Sequence, residues 1–174
     1  MNHIIQARVW CVGDNIDTDL ILPIDVLQMP RSERPKHMFR ANRPGWVLQV
    51  QPGDILIGGR NFGMGSGRPA AQAMKDLGLS CVVADTLNGL FFRNSINFAF
   101  PALEIPGVHE AFEEGDEARV DWMDASITNL RTGVTLTGER WPDQMQQCMS
   151  AGGLVEQLEA AGMLHPLGWS PAPL

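Results

Sequence analysis

Short apolar runs recur along the chain and predict a series of β-strands. Residues 4–12 are mostly β-branched or apolar, and Gly13 follows them, which is typical of a strand that ends in a turn. Residues 80–84 are continuously apolar, which favours a strand buried on both faces. The same pattern predicts further strands at residues 46–50, 54–58, 101–105, 118–122, 127–131 and 134–137. The last two runs are joined by Thr132 and Gly133, so we expect them to form a hairpin.

Helical signals lie between and after these strands. Pro69 precedes residues 70–77 and Gly78 follows them, which is the usual punctuation of a helix start and end. Two further helical segments are predicted, residues 86–94 and residues 141–163, the second broken at Gly152 and Gly153. This order of elements predicts an α/β fold in which helices pack on a mixed sheet.

A long loop interrupts the pattern early in the chain. Residues 24–45 combine prolines with basic side chains: Pro30, Pro35, Pro44, Arg31, Arg34, Lys36, His37, Arg40 and Arg43. A loop of this length in a compact domain is usually functional or disordered. We therefore expect one compact domain over residues 1–164, with a functional loop at 24–45 and a proline-rich tail at 165–174.

The composition narrows the possible partners. The 174 residues are 44% hydrophobic and 19% charged, with a net charge of −7. A chain with so few charges has an ample core, keeps part of its surface for a partner, or both. Without a block of Lys and Arg, we do not expect nucleic acid or an anionic membrane as a partner. The N-terminal residues do not resemble a secretion signal and no apolar stretch is long enough to span a membrane, so a cytoplasmic protein is expected.

The cysteines argue against a disulfide framework or a metal site of the chain's own. Cys11, Cys81 and Cys148 are far apart and odd in number, and no CxxC spacing occurs. Two of them lie in apolar strand-like runs, where Cys acts as a small hydrophobe. Since iron–sulfur clusters are held mainly by Cys thiolates, this chain is not expected to hold one in the usual way.

The glycine-rich loop at residues 58–68, GGRNFGMGSGR, carries the candidate chemistry. It joins a predicted strand to a predicted helix, and helix starts present free backbone N–H groups that suit an anion. Ser66 would lie in that positive field, and the Arg68 guanidinium would fit a carboxylate in two-pronged fashion. The loop lacks the Gly-Lys-[Ser/Thr] ending of a nucleotide loop. The alternative is a purely structural turn in which Ser66 caps the helix and Arg68 is solvated.

Three segments together resemble the small subunits of isopropylmalate dehydratase and homoaconitase. They are IDTDLILP, PGDILIGGRNFGMGSGR and SCVVADTLNGLFFRNSINFAFPAL, in the family's order and at similar spacing. The resemblance covers roughly residues 5 to 138 and implies the β/β/α swivel domain of the aconitase superfamily. It also implies a hydro-lyase of leucine biosynthesis that acts on a small hydroxy di-acid, such as 3-isopropylmalate or a related alkylmalate.

The resemblance implies roles for the residues of the loop. Ser66 aligns with the catalytic base, and Arg68 aligns with the binder of a substrate carboxylate. The loop residues Gly65, Gly67, Asn61 and Arg60 are expected beside the substrate, although Asn61 and Arg60 could equally serve to position the loop. No cofactor or metal is expected on this chain. A [4Fe–4S] cluster is expected on a large partner subunit, in a heterodimer or a heterotetramer.

Two departures from the family pattern leave the substrate open. The loop usually reads Gly-Ser-Ser-Arg-Glu-His, but here Gly67 replaces the second Ser, and Pro69 and Ala70 follow Arg68. The family also places a basic residue shortly after the ILP step, where this chain has Asp25. The substrate could therefore differ from isopropylmalate. Alternatively, Arg31 or Arg34 of the long loop could take over, or the subunit could be degenerate.

Two functional hypotheses follow. The first is the small subunit of a hydro-lyase that is inactive without its large subunit. The second is a non-catalytic anion-binding or scaffold protein that reuses the swivel fold. The acidic step at Asp17, Thr18 and Asp19 could border the site or simply cap its own loop.

Overall fold

Seven strands form one mixed sheet in the computed structural model, which describes residues 2–164. The strands are β1 (Ile4–Cys11), β2 (Ile55–Gly58), β3 (Cys81–Ala84), β4 (Ala102–Glu104), β5 (Glu117–Asp121), β6 (Ser126–Asn129) and β7 (Thr135–Thr137). Their order across the sheet is β4-β3-β2-β1-β5-β6-β7. The four strands β1 to β4 run parallel, and β5 to β7 form an antiparallel meander.

Strand β1 belongs to both halves of this sheet. Its first part pairs with β5, from Ile4 opposite Asp121 to Arg8 opposite Glu117. Its last part pairs with β2, with Val9 opposite Ile55. The antiparallel half can therefore turn away from the parallel half about β1.

The two halves bury apolar side chains on both faces of the parallel strands. Strands β2 and β3 are buried at every position, as continuous apolar runs require. One cluster lies between the parallel and antiparallel halves and includes Val9, Ile57, Val83, Val120, Trp122 and Ile127. The other lies under the first helices and the long loop and includes Leu56, Val82, Ala71, Met74, Phe39 and Trp46. This is a β/β/α layering, and it confirms the predicted α/β fold with a mixed sheet.

Six α-helices accompany the sheet within residues 2–164. They are α1 (Thr18–Ile21), α2 (Ala70–Leu77), α3 (Gly89–Asn97), α4 (Val108–Ala111), α5 (Asp143–Ala151) and α6 (Leu154–Ala160). Helix α2 ends at Gly78, whose φ of 107° places it in the left-handed region. The break predicted between α5 and α6 is confirmed, because Gly152 and Gly153 separate them with φ of 103° and 128°. None of the helices in residues 2–164 is long and apolar enough to cross a membrane.

Two sequence-based predictions are corrected by the structure. Residues 46–50 are not a strand: Trp46–Leu48 form a 3-10 turn that starts after Gly45, which has φ of 79°. The Trp46 indole packs edge-on against Phe39, with 5.0 Å between ring centroids, so this apolar run serves the core as a turn. The helix predicted at residues 86–94 starts three residues later.

The later start of α3 has a local cause. The Asn88 side chain accepts a hydrogen bond from the Leu90 backbone N–H at 3.1 Å and thereby caps the helix. The long loop is more regular than expected, because it contains short 3-10 turns at Ile24–Gln28 and Arg34–His37. The tail predicted at residues 165–174 lies outside the described residues.

Candidate active site

The glycine-rich loop lies where the parallel strands end. Because β1, β2 and β3 are parallel, the segments that follow them meet at one edge of the sheet, the usual place for a ligand site in α/β folds. On one side the loop is held by residues after β1: the Gly63 N–H donates to the Ile16 carbonyl at 2.7 Å, and the Thr18 N–H to the Met64 carbonyl at 2.8 Å. The position of Ser66 is therefore set from β1 as well as from β2.

The segment after β3 holds the other side of the loop. The Phe62 N–H donates to the Thr86 carbonyl at 3.0 Å, and the Asn88 N–H donates to the Phe62 carbonyl at 2.8 Å. Phe62 is fully buried and meets Phe91 of α3 edge-on, with 5.3 Å between centroids. The loop thus joins three neighbouring segments into a fixed frame, with Phe62 as its anchor in the core.

Two glycines of the loop are required by its conformation. Gly63 and Gly65 have φ of 77° and 99°, where a side chain is strained. A Cβ at Gly63 would also collide with the Phe91 side chain. The chain changes direction at these two glycines, and Ser66, which follows them, is exposed at the surface.

Ser66 and Arg68 are in direct contact. The Arg68 Nε–H donates to Ser66 Oγ at 3.0 Å, and the Arg68 Nη1–H donates to the Leu22 carbonyl at 2.9 Å. The third edge of the guanidinium, Nη2, pairs with Asp19. The Arg68 side chain is only 8% exposed, whereas the Asp19 side chain is 61% exposed. A positive group is therefore held under Ser66 and balanced by a carboxylate that faces solvent.

The structural alternative for this loop assumed that Ser66 caps the helix and that Arg68 is solvated, and the structure shows neither. Ser66 does not cap a helix, because α2 begins four residues later, at Ala70, with Pro69 as its N-cap. Arg68 is not solvated. The group beside Ser66 Oγ is the guanidinium, and the Arg68 and Ala70 N–H groups are used in turns to the Ser66 and Arg68 carbonyls.

The acidic step after β1 both caps its own helix and holds the loop. Asp17 Oδ1 accepts from the Leu20 N–H at 2.7 Å, which caps α1. The Thr18 hydroxyl donates to the Ser66 carbonyl at 3.0 Å, and Thr18 is 2% exposed. Local capping accounts for Asp17, whereas Thr18 and Asp19 border the candidate site.

Arg60 and Asn61 lie at the start of the loop, where each is bound to neighbouring side chains. Arg60 Nη2 lies 2.7 Å from Asp14 Oδ2. The hydrogen bonds from Arg60 hold the pKa of the Asp14 carboxyl below its usual value. Asn61 has φ of 60°, its N–H donates to Thr86 Oγ1 at 2.7 Å, and its Nδ2 donates to Asn15 Oδ1 at 3.1 Å. These contacts position the loop.

The three candidate specificity residues of the long loop each have a partner. Both oxygens of Asp25 accept from Arg40 Nη2 at 2.6 Å, and these hydrogen bonds hold the pKa of Asp25 below its usual value. Arg31 pairs in two-pronged fashion with Asp76 of α2, at 2.7 Å for each contact. Arg34 instead donates to backbone carbonyls within the loop. The negative charge of Asp25 is therefore offset by a cation that sequence reasoning did not pair with it.

The cysteines lie in regular elements of the fold, Cys11 in β1, Cys81 in β3 and Cys148 in α5. Burial raises the pKa of the Cys81 thiol to about 12. Burial, with help from Glu114, raises that of Cys11 to about 11. The described residues contain no cluster of three or more His, Cys, Asp or Glu side chains that could hold a metal ion. The side chains at this site thus fit proton transfer and anion binding, and they do not offer the ligands of a cluster.

Sequence reasoning missed the pairing of Asp19 with Arg68. The two residues are far apart in the chain, and the acidic step carries an equally good local explanation as a cap. The one available signal was that Asp19 follows β1 and Arg68 follows β2, because segments that follow neighbouring parallel strands lie at the same edge of the sheet. No signal in the sequence predicts that Leu90 lies beside Gly67.

Comparisons with known proteins show which proteins this chain is similar to. The Aconitase C-terminal domain family matches residues 18–107. The chain is 40% identical to the isopropylmalate/citramalate isomerase small subunit of Methanocaldococcus jannaschii, over 91% of this chain and 96% of that protein. It is 38% identical to the 3-isopropylmalate dehydratase small subunit 1 of Methanopyrus kandleri, over 93% of this chain and 96% of that protein.

A solved structure is also similar. The crystal structure of a 3-isopropylmalate dehydratase from Methanocaldococcus jannaschii superposes with a TM-score of 0.85 at 28% identity. The match covers 92% of this chain and 96% of that one. The likeness therefore extends over nearly the whole of both chains, in sequence and in fold.

Proposed function

The chain belongs to the aconitase C-terminal domain family, among small subunits of the isopropylmalate dehydratase type, and we propose that with a large subunit it dehydrates and rehydrates an alkyl-substituted malate. It is the small subunit of a hydro-lyase. The contact that carries the residue-level proposal is the hydrogen bond from Arg68 Nε to Ser66 Oγ.

Ser66 is the proposed base. Its Oγ takes the proton from the carbon beside a substrate carboxylate, while the hydroxyl leaves the neighbouring carbon and a C=C bond forms between them. Hydration is the reverse, with Ser66 returning the proton. A hydroxyl is a poor base unless its alkoxide is stabilised, and the buried Arg68 guanidinium supplies a fixed positive charge at hydrogen-bond distance.

Arg68 is also the proposed binder of a substrate carboxylate. Two edges of its guanidinium are used by Ser66 and Leu22, and the third is held by the exposed carboxylate of Asp19. A substrate carboxylate has the same charge and shape as the Asp19 side chain. We propose that it joins or displaces Asp19 on Nη2, which brings the carbon acid to Ser66.

The remaining site residues have supporting roles in the proposal. Gly65 allows the turn that presents Ser66, while Asn61 and Arg60 hold the start of the loop beside the substrate. The specificity loop comprises Asp25, Arg31 and Arg34. Since the Arg40 charge offsets that of Asp25, the repulsion between Asp25 and a di-acid substrate is reduced.

The partner completes the proposal. The departure of the hydroxyl needs groups outside this chain, and we place the [4Fe–4S] cluster implied by the resemblance on the large subunit. All three cysteines are free thiols, which suits the reducing conditions of the cytoplasm, the proposed location.

Reconstitution with the large subunit tests the proposed function. The ultraviolet absorbance of the unsaturated acid would follow turnover of alkylmalates by the complex. Ser66→Ala is expected to lower kcat by about 10²- to 10⁴-fold, the usual contribution of a general base, while substrate binding persists. Ser150→Ala, at an exposed serine of α5, is the matched control and should keep wild-type rates. Full activity of Ser66→Ala would remove Ser66 as the base, whereas an anion bound by the small subunit alone with no turnover in the complex would favour a non-catalytic role.

A further inference from the structure

Among the five glycines of the loop, Gly67 is the one that neither a positive φ nor a clash of an added Cβ explains. Gly63 and Gly65, on the other side of Ser66, have positive φ values, but Gly67 does not. The three atoms nearest to a Cβ built on Gly67 all belong to the Leu90 side chain, with Cδ2 at 3.4 Å and Cδ1 at 3.7 Å, which is ordinary van der Waals contact. Any small residue is therefore compatible with this position, and glycine leaves a space about one carbon atom wide between position 67 and the Leu90 side chain.

Leu90 forms the far wall of that space. It lies in the first turn of α3 and is 37% exposed, although the next residue, Phe91, is buried against Phe62. The Asn88 cap and the bonds of Asn88 and Leu87 to neighbouring segments fix the start of α3. The exposed isobutyl group is thus held rigidly beside an otherwise polar site.

We propose that Gly67 and Leu90 together form the subsite for the alkyl branch of the substrate and select branched over unbranched malates. This inference rests on the proposed function. The branch is carried either by the carbon that gives up its proton or by the carbon next to it, so the branch must lie within a few ångströms of Ser66 Oγ. The open space beside Gly67 is adjacent to Ser66 in the chain, and its wall is apolar.

The chemistry sets the size of the effect. A methylene group in a hydrophobic pocket changes kcat/KM by about tenfold or more. Selectivity for the branch should therefore increase with its size, from hydrogen through methyl and ethyl to isopropyl. This selectivity should fall when a side chain at position 67 fills the space or when the Leu90 side chain is removed.

The test uses the complete complex with its large subunit and a series of malates that differ only in the alkyl branch. Gly67→Ala and Gly67→Val fill the space stepwise, and they should lower kcat/KM for the isopropyl compound by about tenfold or more relative to kcat/KM for malate. Leu90→Ala should cause a loss of about tenfold on the same compound by removing the wall. In the double variant Gly67→Val/Leu90→Ala the two changes should partly compensate.

Leu154→Ala is the matched control. Leu154 is also a leucine at the start of a helix, with a similar exposure of 40%, but it lies on α6, beside the opposite end of α3. This variant should retain the wild-type order of substrates. Leu90→Met, which keeps the apolar volume, should also retain it and shows that the site still folds.

Two results would overturn the inference. One is an equal loss of kcat/KM on every malate in the Leu90 and Gly67 variants. If these variants also associate more weakly with the large subunit, Leu90 belongs to the subunit interface. The other is an unchanged order of substrates. Both leave the hydro-lyase activity of the wild-type complex in place, so they are distinct from failure of the proposed function, in which the wild-type complex turns over none of the series.

Discussion

Arg68 Nε donates a hydrogen bond of 3.0 Å to the Oγ of Ser66, two residues earlier in the chain. The guanidinium is buried and has two further fixed partners, the Leu22 carbonyl and Asp19. Its orientation therefore does not depend on a ligand. A positive charge is already in place at the oxygen that would carry the alkoxide.

Arg68→Lys tests whether the shape of the guanidinium matters as well as its charge. A single ammonium cannot serve Ser66, Leu22 and Asp19 at once. We expect kcat of the complex to fall by about 10²- to 10³-fold, as for the loss of one donor to a developing oxyanion. Steady-state kinetics would measure it, with Arg119→Lys on the exposed face of β5 as control. A rate within twofold of wild type would mean that charge alone suffices.

Thr18→Val and Thr18→Ser separate positioning of the loop from packing. Valine keeps the buried shape but removes the hydroxyl that donates to the Ser66 carbonyl, whereas serine keeps it. We expect Thr18→Val to lower the free energy of unfolding by about 1 kcal/mol, the usual net value of one hydrogen bond. Urea titration measures this change.

The same pair of variants should differ in catalysis. A few-fold loss of kcat in Thr18→Val, with KM little changed, is expected because Ser66 is less firmly held, and Thr18→Ser should keep most of the rate. If the two variants behave alike, the hydroxyl does not position Ser66.

Asp25→Asn tests the charge balance of the specificity loop. Arg40 holds the pKa of Asp25 low, so the carboxylate is ionised at neutral pH and cancels the Arg40 charge. Removing the Asp25 charge should lower the KM for a di-acid several-fold at low salt. Added salt should make this decrease in KM smaller, because the Asp25 and Arg40 side chains are both exposed. The double variant Asp25→Asn/Arg40→Gln should not show this lower KM. An unchanged KM would show that this pair does not influence the substrate.

Asp116→Asn tests an ion pair in which the carboxylate is buried and the Arg131 guanidinium is half exposed. Asp116 is 5% exposed and accepts from Arg131 at 2.5 Å and from Asn129 at 2.7 Å. The hydrogen bond from Arg131 lowers the pKa of Asp116 well below its usual value, against the effect of burial. At pH 7 we expect the variant to lose about 2 kcal/mol, as for hydrogen bonds to a charged group.

The pH dependence follows from the direction of that shift. Because the folded pKa is lower than the unfolded one, the stabilisation is complete above about pH 4 and is lost as the pH falls toward the folded value. The difference in unfolding free energy between wild type and Asp116→Asn should therefore narrow as the pH falls through the unfolded pKa of about 4. A difference that stays constant with pH would assign the loss to packing.

The local pattern predicted the elements that sequence neighbours determine. Residues 54–58 and 80–84 became β2 and β3 because continuous apolar runs suit strands buried on both faces. The run at 46–50 is also mostly apolar but forms a turn, because Gly45 has a positive φ and the Trp46 ring packs edge-on against Phe39. A short apolar run alone does not distinguish these outcomes.

The candidate site was predictable only in part. Ser66 and Arg68 are two residues apart in a distinctive loop, and a resemblance identified them. Asp19 reaches Arg68, and Leu90 reaches Gly67, only because parallel pairing brings separate segments to one edge of the sheet. No local preference encodes that order of strands, so these contacts required the structure.

The sharing of β1 between two ladders has a consequence for how the protein opens. The Val9 N–H donates to the Asp116 carbonyl at 2.8 Å, and the Val9 carbonyl accepts from the Gly115 N–H at 2.9 Å. On its other side Val9 lies opposite Ile55 of β2. Fraying of β4 at one edge or of β7 at the other leaves β1 paired. Its amide protons should therefore exchange with solvent only through complete unfolding, and their exchange rates would report the global stability of the fold.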